Sequence, residues 1–523
     1  MKKIKLISLL IILLLALSLF LYACGTDDAD DGGGNVTDGS VTTATNGNGY
    51  EEPAAPTNPR DIPDNLPEAD FDGADFRILF RNSCQRGNWA VIEPHRMEIY
   101  SEAMTGDVIN DAVFQRNNEI MERFNVNIVG MGYPFGGGAN EAGVAAFARR
   151  TIQANADEFD MVVSWSTHLA TLAAEGLFVD WNSIPYIDTS QPWWMQGAMD
   201  ELTIFGRTFL AKSDLIFPGV IGEAALMVFN QTLVEDFGLE SPYVMVEENR
   251  WTLDVLDTLV RQIGFVDVNG TGIRDYNAIY GFTSDSWGSG FVWLWAGGGR
   301  VTSRGADGLP YYSVLTERNA VMLQRVFDLF YNNEGSAITN AAGNTITFRP
   351  GTDQTGLFTD GNAVFLSDRV GMLLLPEFRA AEFDFGIVPM PKFDQYQERY
   401  LTMINEHASI MGIPAFNSNL VMTGKVIEAL SAASHRLLVP AYYEVGLQTR
   451  YSRDEESVRM LDLIVDGIVF DFGLLYHIPT WNMFQTILSG RGDPGTFVSR
   501  IERESVLAER RIQQILDMYA ELQ

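Results

Sequence analysis

Cysteine is almost missing from this chain: Cys24 and Cys84 are the only two in 523 residues. A disulfide framework is thereby excluded, and if Cys24 is used in other chemistry no internal bridge is possible. Basic residues are scarce as well. Lys and Arg total 36 against 68 Asp and Glu, a formal charge of −32. A binder of phosphates needs a basic face and the counterion release that goes with it, so nucleic acid is not expected as a partner. The five histidines (His95, His168, His407, His435, His477) show no ligand spacing, and neither a Gly-x-Ser-x-Gly elbow nor a His-Glu-x-x-His helix occurs. Gly136-Gly137-Gly138 lacks the Gly-Lys-Ser/Thr ending of a phosphate loop.

What is present begins at the N-terminus. Met1-Lys2-Lys3-Ile4-Lys5 is a positive n-region, and residues 6–22 are an almost unbroken apolar run that stops at Ala23-Cys24. This predicts a lipoprotein signal peptide over 1–23 with Cys24 as the lipidated residue. A plain transmembrane anchor is the alternative, since the run approaches the ~20 residues that span a bilayer. A Cys directly after a small Ala favours lipidation, although Tyr22 is bulkier than the residue usual at that place. Two acyl chains on Cys24 give stable anchoring at the extracellular face of the cell membrane. Residues 24–70 then form a disordered tether: eleven acids stand against Arg60 alone among Gly, Thr, Asn and Pro, too little apolar surface to fold. As a flexible coil the tether reaches about 35–40 Å.

The signal carries +3 and the tether −10, which leaves −25 on residues 71–523. The acidic body keeps the protein soluble beside an anionic surface, and with 11% aromatics across the chain it is large enough to bury two or more cores. Asp75-Phe-Arg-Ile-Leu-Phe-Arg81 reads as a buried strand, 110–124 as a helix, 126–129 as a strand, 139–155 as a helix and Phe159-Asp-Met-Val-Val-Ser-Trp165 as a strand. That is βαβαβ, a parallel sheet covered by helices. Ligands bind beyond the carboxyl ends of such strands, which places Asn82 and Trp165 at a site. Residues 225–230 read as a further strand and 231–238 as a short helix. An amphipathic helix follows over 251–263 with Thr252 near its N-cap, so a second α/β unit has begun.

Sugar rings present apolar faces edged by hydroxyls, so a receptor for them needs flat aromatics with polar groups around. Ten Trp are available. Trp165, Trp287 after Tyr280-Gly-Phe-Thr-Ser-Asp-Ser286, and Trp481 in a polar loop before Asn482 are the candidates, each with core packing or a helix cap as the alternative. Trp181, Trp193, Trp194 and Trp251 are read as structural. Asp214, and Glu377 just past an apolar strand over 370–375, are candidate hydrogen-bonding acids, with helix caps or hinge salt bridges as alternatives. A separate segment, Asp267-Val-Asn269-Gly270-Thr271-Gly272-Ile273-Arg-Asp275, has the first part of a calcium loop, but position twelve is Ala278 instead of a bidentate acid. A metal-free Asn-Gly turn is the favoured reading and calcium on Asp267, Asn269, Thr271 and Asp275 the alternative. No other cofactor is expected.

Phe159-Asp-Met-Val-Val followed by Leu169-Ala-Thr-Leu-Ala-Ala-Glu-Gly176, Val228-Phe-Asn230 with Gly238-Leu and Pro242, Trp251-Thr252-Leu-Asp254, the helix-like Phe358-Thr-Asp-Gly-Asn-Ala-Val-Phe365 and the return strand Asp384-Phe-Gly-Ile-Val-Pro-Met-Pro391 occur in this order. Together they resemble the extracellular solute-binding proteins (family 1 type) of carbohydrate ABC importers. Pro391-Lys-Phe-Asp-Gln-Tyr-Gln397 and Arg453-Asp-Glu-Glu-Ser-Val-Arg-Met-Leu-Asp462 are similar to a lipoprotein subgroup from Gram-positive bacteria. The resemblance implies an α/β, two-lobed periplasmic-binding-protein-like fold of type 2 with discontinuous lobes. The N-terminal lobe would take 71–215 and 395–440, the C-terminal lobe 216–394, and a helical extension over 441–523 would pack on them. It further implies a monomeric, non-enzymatic receptor that closes on a sugar and delivers it to permease subunits. A secreted glycosidase-like enzyme with paired carboxylates is the alternative function, and a surface adhesion protein a third.

Overall fold

The computed structural model describes residues 60–522, apart from 82–84, 87–88, 91–97, 134–142, 287–288, 342–345, 347, 349–351, 449–454 and 479–480. Among the described residues ten strands build the two main sheets: β1 (Ala74–Arg81), β2 (Val126–Tyr133), β3 (Met161–Trp165), β4 (Ala225–Asn230), β5 (Ile279–Asp285), β6 (Ser336–Thr339), β7 (Ala363–Arg369), β8 (Phe385–Val388) and β9 (Ser409–Gly412), with a two-residue strand, Phe265–Val266, antiparallel on β5. The first sheet has the order β9-β3-β1-β2 and the second β6-β5-β7-β4-β8. In the first, β1 runs parallel to β2 and β3, while β9 returns antiparallel on β3. In the second, β5 is parallel to β6 and β7, and β4 is antiparallel to both β7 and β8. Parallel strands covered on both faces read as continuous apolar runs, and all five residues of β3, Met-Val-Val-Ser-Trp, are buried.

The local signals explain the elements. The helix Val108–Phe124 begins where the Asp107 side chain accepts from the Asn110 N–H and ends at Asn125 in the left-handed region, φ 47°. The helix Leu253–Ile263 is capped by Thr252, whose hydroxyl accepts from the Val255 N–H, as its sequence predicts. Two expectations fail. The stretch 370–375 is not a strand: β7 stops at Arg369 and Val370–Leu374 turns into a 3-10 helix. The Val370 and Gly371 amides donate to the carbonyls of Ala224 and Gly222 at 2.9 Å each, so a neighbouring segment, and not the apolar pattern, sets the conformation. The segment 358–365 is likewise not one helix, because Gln354–Thr359 ends there and β7 starts at Ala363.

Between the two sheets the chain crosses in paired segments. Ala211 bridges to Met411 and Ala224 to Ile404, both antiparallel. Close backbone approach is required here: a Cβ on Gly371 would stand 2.8 Å from the Gly222 carbonyl oxygen. Fully buried Lys212 donates to the Ser166 hydroxyl at 3.0 Å and to the Ser409 carbonyl, fastening the first crossing to the ends of β3 and β9. After β9 the described chain is mostly helical, with Leu420–Gln448, Glu455–Asp466 and Phe497–Glu521 the longest pieces, and a two-residue strand, Ile468–Val469, pairs parallel with Thr402–Met403. The first of these runs without interruption past residue 440, where the sequence reading put a boundary. Among the described residues no helix is long and apolar enough to cross a membrane.

Candidate functional site

The carboxyl ends of β1, β3, β5 and β7 converge on the crossing segments. The described residues there line a pocket of about 60 Å³, formed by Glu223, Asp285, Gln354, Asp368, Arg369 and Asn405 over an apolar floor that includes Val292 and Met403. Sites that hold small molecules measure roughly 300–1,000 Å³, so this pocket as it stands has room for waters only.

Strand pairing places the acids. The register that sets Thr283 opposite Leu366 continues to Ser284 and Ser367, whose hydroxyls lie 2.7 Å apart, and so brings Asp285 alongside Asp368. The Asn340 amide donates to Asp285 at 2.7 Å. Asp368 is approached by the Thr355 hydroxyl at 3.3 Å and the Gln354 amide at 3.5 Å. Burial raises the Asp368 carboxyl to about 6; the Arg369 charge works against this and the Asp285 charge adds to it. Arg369 pairs with Glu223 at 3.0 Å. Glu406, beside Asn405, is raised to about 7 by burial, with Glu223 contributing, and its Oε2 has no hydrogen-bond partner among the described residues.

Trp165 stands where the sequence puts it, at the end of β3, but it does not offer a free face. The Arg81 guanidinium lies 3.7 Å from its ring centroid, and the His407 ring stacks at 3.9 Å with planes 28° apart. Two groups that close cannot share one side, so they cover opposite faces, and the indole is 7% exposed. Burial, helped by the charges of Arg369 and Arg81 and opposed by Glu223, lowers the His407 imidazole to about 4. His168, 5.2 Å from the Trp165 ring, is lowered to about 4 by burial and Arg81.

The other sequence candidates fall as follows. Asp214 does not line the pocket: it is buried against the helix Leu420–Gln448, 2.6 Å from the His435 Nδ1, and burial pushes its carboxyl up in spite of that imidazole. It is an internal pair, the alternative its sequence left open. Glu377 is exposed in the short helix Pro376–Ala380 and is likewise absent from the lining. Asn82 and Trp287 lie outside the described residues, as do Cys24 and Cys84, and Trp481 is not in a loop but opens the helix Trp481–Thr486. Trp181, Trp193, Trp194 and Trp251 are buried as expected; Trp193 and Trp194 both donate to Glu428, at 3.0 and 3.1 Å, and Trp251 to the Pro389 carbonyl.

In the loop that starts at Asp267 the carboxylate accepts from the Gly272 amide, and further amides of residues 269–271 hold its pKa below the usual carboxylate range. Asp275 accepts from the Asn277 amide at 2.8 Å. No group of three His, Cys, Asp or Glu is arranged for a metal among the described residues. The acids that do converge, Glu223, Asp285 and Asp368, escaped the sequence reading. Asp285 had one usable signal: it ends the strand preceding Trp287, where the carboxyl-end rule points to a site residue.

No family model matches the chain, and no curated protein is similar to it in sequence. Solved structures are. An ABC substrate-binding protein from Listeria monocytogenes in complex with cycloalternan is 14% identical, covering 85% of this chain and 100% of its own, with a TM-score of 0.52. A sugar transporter from Rhizobium etli in an open conformation is 12% identical over 83% and 99%, TM-score 0.55. UgpB from Mycobacterium tuberculosis in complex with glycerophosphocholine is 15% identical over 86% and 99%, TM-score 0.52. The fold is therefore that of the two-lobed solute-binding proteins of ABC importers, with the paired crossings at the hinge.

Proposed function

We propose that this protein is a receptor, held at the extracellular face of the membrane by lipid on Cys24, that binds a sugar or oligosaccharide between its lobes. It passes the ligand to the permease subunits of an ABC importer and acts as a monomer. The observation that carries this reading is the polar cleft where the carboxyl ends of β5 and β7 meet the crossing segments: Glu223, Asp285, Asp368, Gln354 and Asn405 offer hydroxyl-binding groups beside Val292 and Met403. Similar folds hold cycloalternan and glycerophosphocholine, which supports a small polar ligand.

Thermal shift across a glycan panel tests it. A ligand present at a hundred times its Kd adds about 2.7 kcal/mol, so at least one glycan is expected to raise the melting temperature and to be recovered intact. A panel in which nothing stabilises the protein refutes the receptor reading. The carboxyl of Asp368 near 6 beside Asp285 also fits an acid–base pair; cleavage of a bound glycan that stops in Asp368→Asn would establish the enzyme instead.

A further inference from the structure

We propose that residues 60–70 are a strap, fastened by charge to two helices of the first lobe, that fixes where the N-terminal tether leaves the body and can release as a unit. The acidic stretch does not continue as a coil up to residue 70. From residue 60 it runs, without regular secondary structure, against the helices Val108–Phe124 and Leu420–Gln448. The Asp64 carboxylate takes both terminal nitrogens of Arg123, at 2.5 and 2.9 Å. The Pro67 and Glu68 carbonyls accept from the Lys425 ammonium at 3.1 and 3.3 Å, and Asp70 accepts from the Asn125 side-chain amide at 2.8 Å. Bases are scarce in this chain, yet two of them come from different helices to meet one acidic run.

Little else holds these residues. None from 60 to 70 is buried, and of their apolar side chains Leu66 and Ala69 are the ones packed, half-buried, on the main core. Backbone pairing takes over only from Phe71, where the Phe71 and Gly73 amides donate to the carbonyls of Phe124 and Asn125 at 2.9 and 2.8 Å and β1 follows. A bidentate carboxylate–guanidinium pair is directional and strong for its kind, but near the surface it gives way far more readily than core packing does. On the lipid-anchored reading above, on which this consequence rests, the chain left to span from membrane to body is 24–59, which is 36 residues instead of 47. Its greatest reach is then about 120–130 Å instead of about 155–170 Å, and the anchor pulls on the seam between the two helices.

Cleavage by a protease that cuts after Glu tests the strap in the full chain. The Glu68–Ala69 bond is followed by the mass of the fragment that begins at Ala69, and a peptide of residues 60–76, whose one Glu is Glu68, gives the rate for the undocked segment. An ordered segment is cut from its opened state, so the bond should be cut at least about tenfold more slowly in the protein than in the peptide. Arg123→Gln and Asp64→Asn should each raise the rate in the protein by about fivefold, with the melting temperature of the body unchanged. A wild-type bond cut as fast as the peptide's would overturn the strap. Variants cut as slowly as the wild type would overturn its fastening by charge, and faster cutting with a lowered melting temperature would make the pair a support of the lobe instead. None of these arms needs lipid or sugar, so their failure is distinct from failure of the anchor at Cys24 or of the receptor.

Discussion

Replacing Trp165 by Ala tests the packing of the cleft wall most directly. The indole is 7% exposed and the Arg81 side chain that covers one face belongs to a residue 3% exposed. Truncating a large buried aromatic costs about 3–5 kcal/mol, more where the surroundings cannot collapse. Here they are held: Ser166 donates both its amide, at 3.1 Å, and its hydroxyl, at 2.9 Å, to the Ala408 carbonyl, and this keeps the end of β3 and the His407 segment in place. The lost contacts include a cation–π interaction of about 0.5–2 kcal/mol and a ring stack of about 0.5–1.5 kcal/mol. We therefore expect a loss of about 4 kcal/mol for Trp165→Ala, with Trp165→Phe recovering more than half of it. Urea unfolding followed by circular dichroism measures both. A loss below about 1 kcal/mol for Trp165→Ala would refute the packed arrangement and mark the ring as an exposed platform for a ligand.

Three other outcomes are expected. Cys24→Ser should move the protein from the membrane fraction to the medium or leave it unprocessed; unchanged processing and retention would sink the lipid anchor. A chelator should leave the melting temperature unchanged, because the Asp267 carboxylate is already taken up by the amides of its own loop, and a clear drop that disappears in Asp267→Ala would establish a metal. Glu406 is held at about 7 from an ordinary 4.5, so the folded state keeps a proton that the unfolded state has lost across that window. Stability therefore falls as pH rises from about 4.5 to 7, by up to about 3 kcal/mol, and Glu406→Gln should flatten that slope in unfolding curves measured from pH 5 to 8.

The βαβαβ start of the fold was legible because β1 and β3 are buried on both faces and read as apolar runs, and Thr252 was legible because a cap is a local signal. Trp165 could be put at a strand end for the same reason. Its two covers could not be anticipated, since Arg81 and His407 are 326 positions apart and meet only when β9 returns beside β3. The acidic pair was hidden among 68 carboxylates because Asp285 and Asp368 become neighbours through strand register alone. The pairing of Asp214 was hidden in the same way: its partner His435 sits on a helix whose docking no local pattern reveals. The run 370–375 shows the limit of periodicity, as its conformation is dictated by carbonyls of Gly222 and Ala224.

The chain after β9 has a mechanical consequence. Asp471 accepts from the amides of Val301, Thr302 and Gly473 and from the Thr302 hydroxyl, and the Tyr331 hydroxyl donates to the Leu488 carbonyl, both holds on the stretch that leads to β6. Farther along, Leu522 rests against Gly176, just past the helix that follows β3, and Tyr519 meets Phe209 edge to face at 5.3 Å. One segment thus grips both sides of the hinge like a spring hooked at each end. Any rotation of one sheet relative to the other would have to stretch this segment or unhook one of its ends, so its contacts would resist such a motion from outside the cleft.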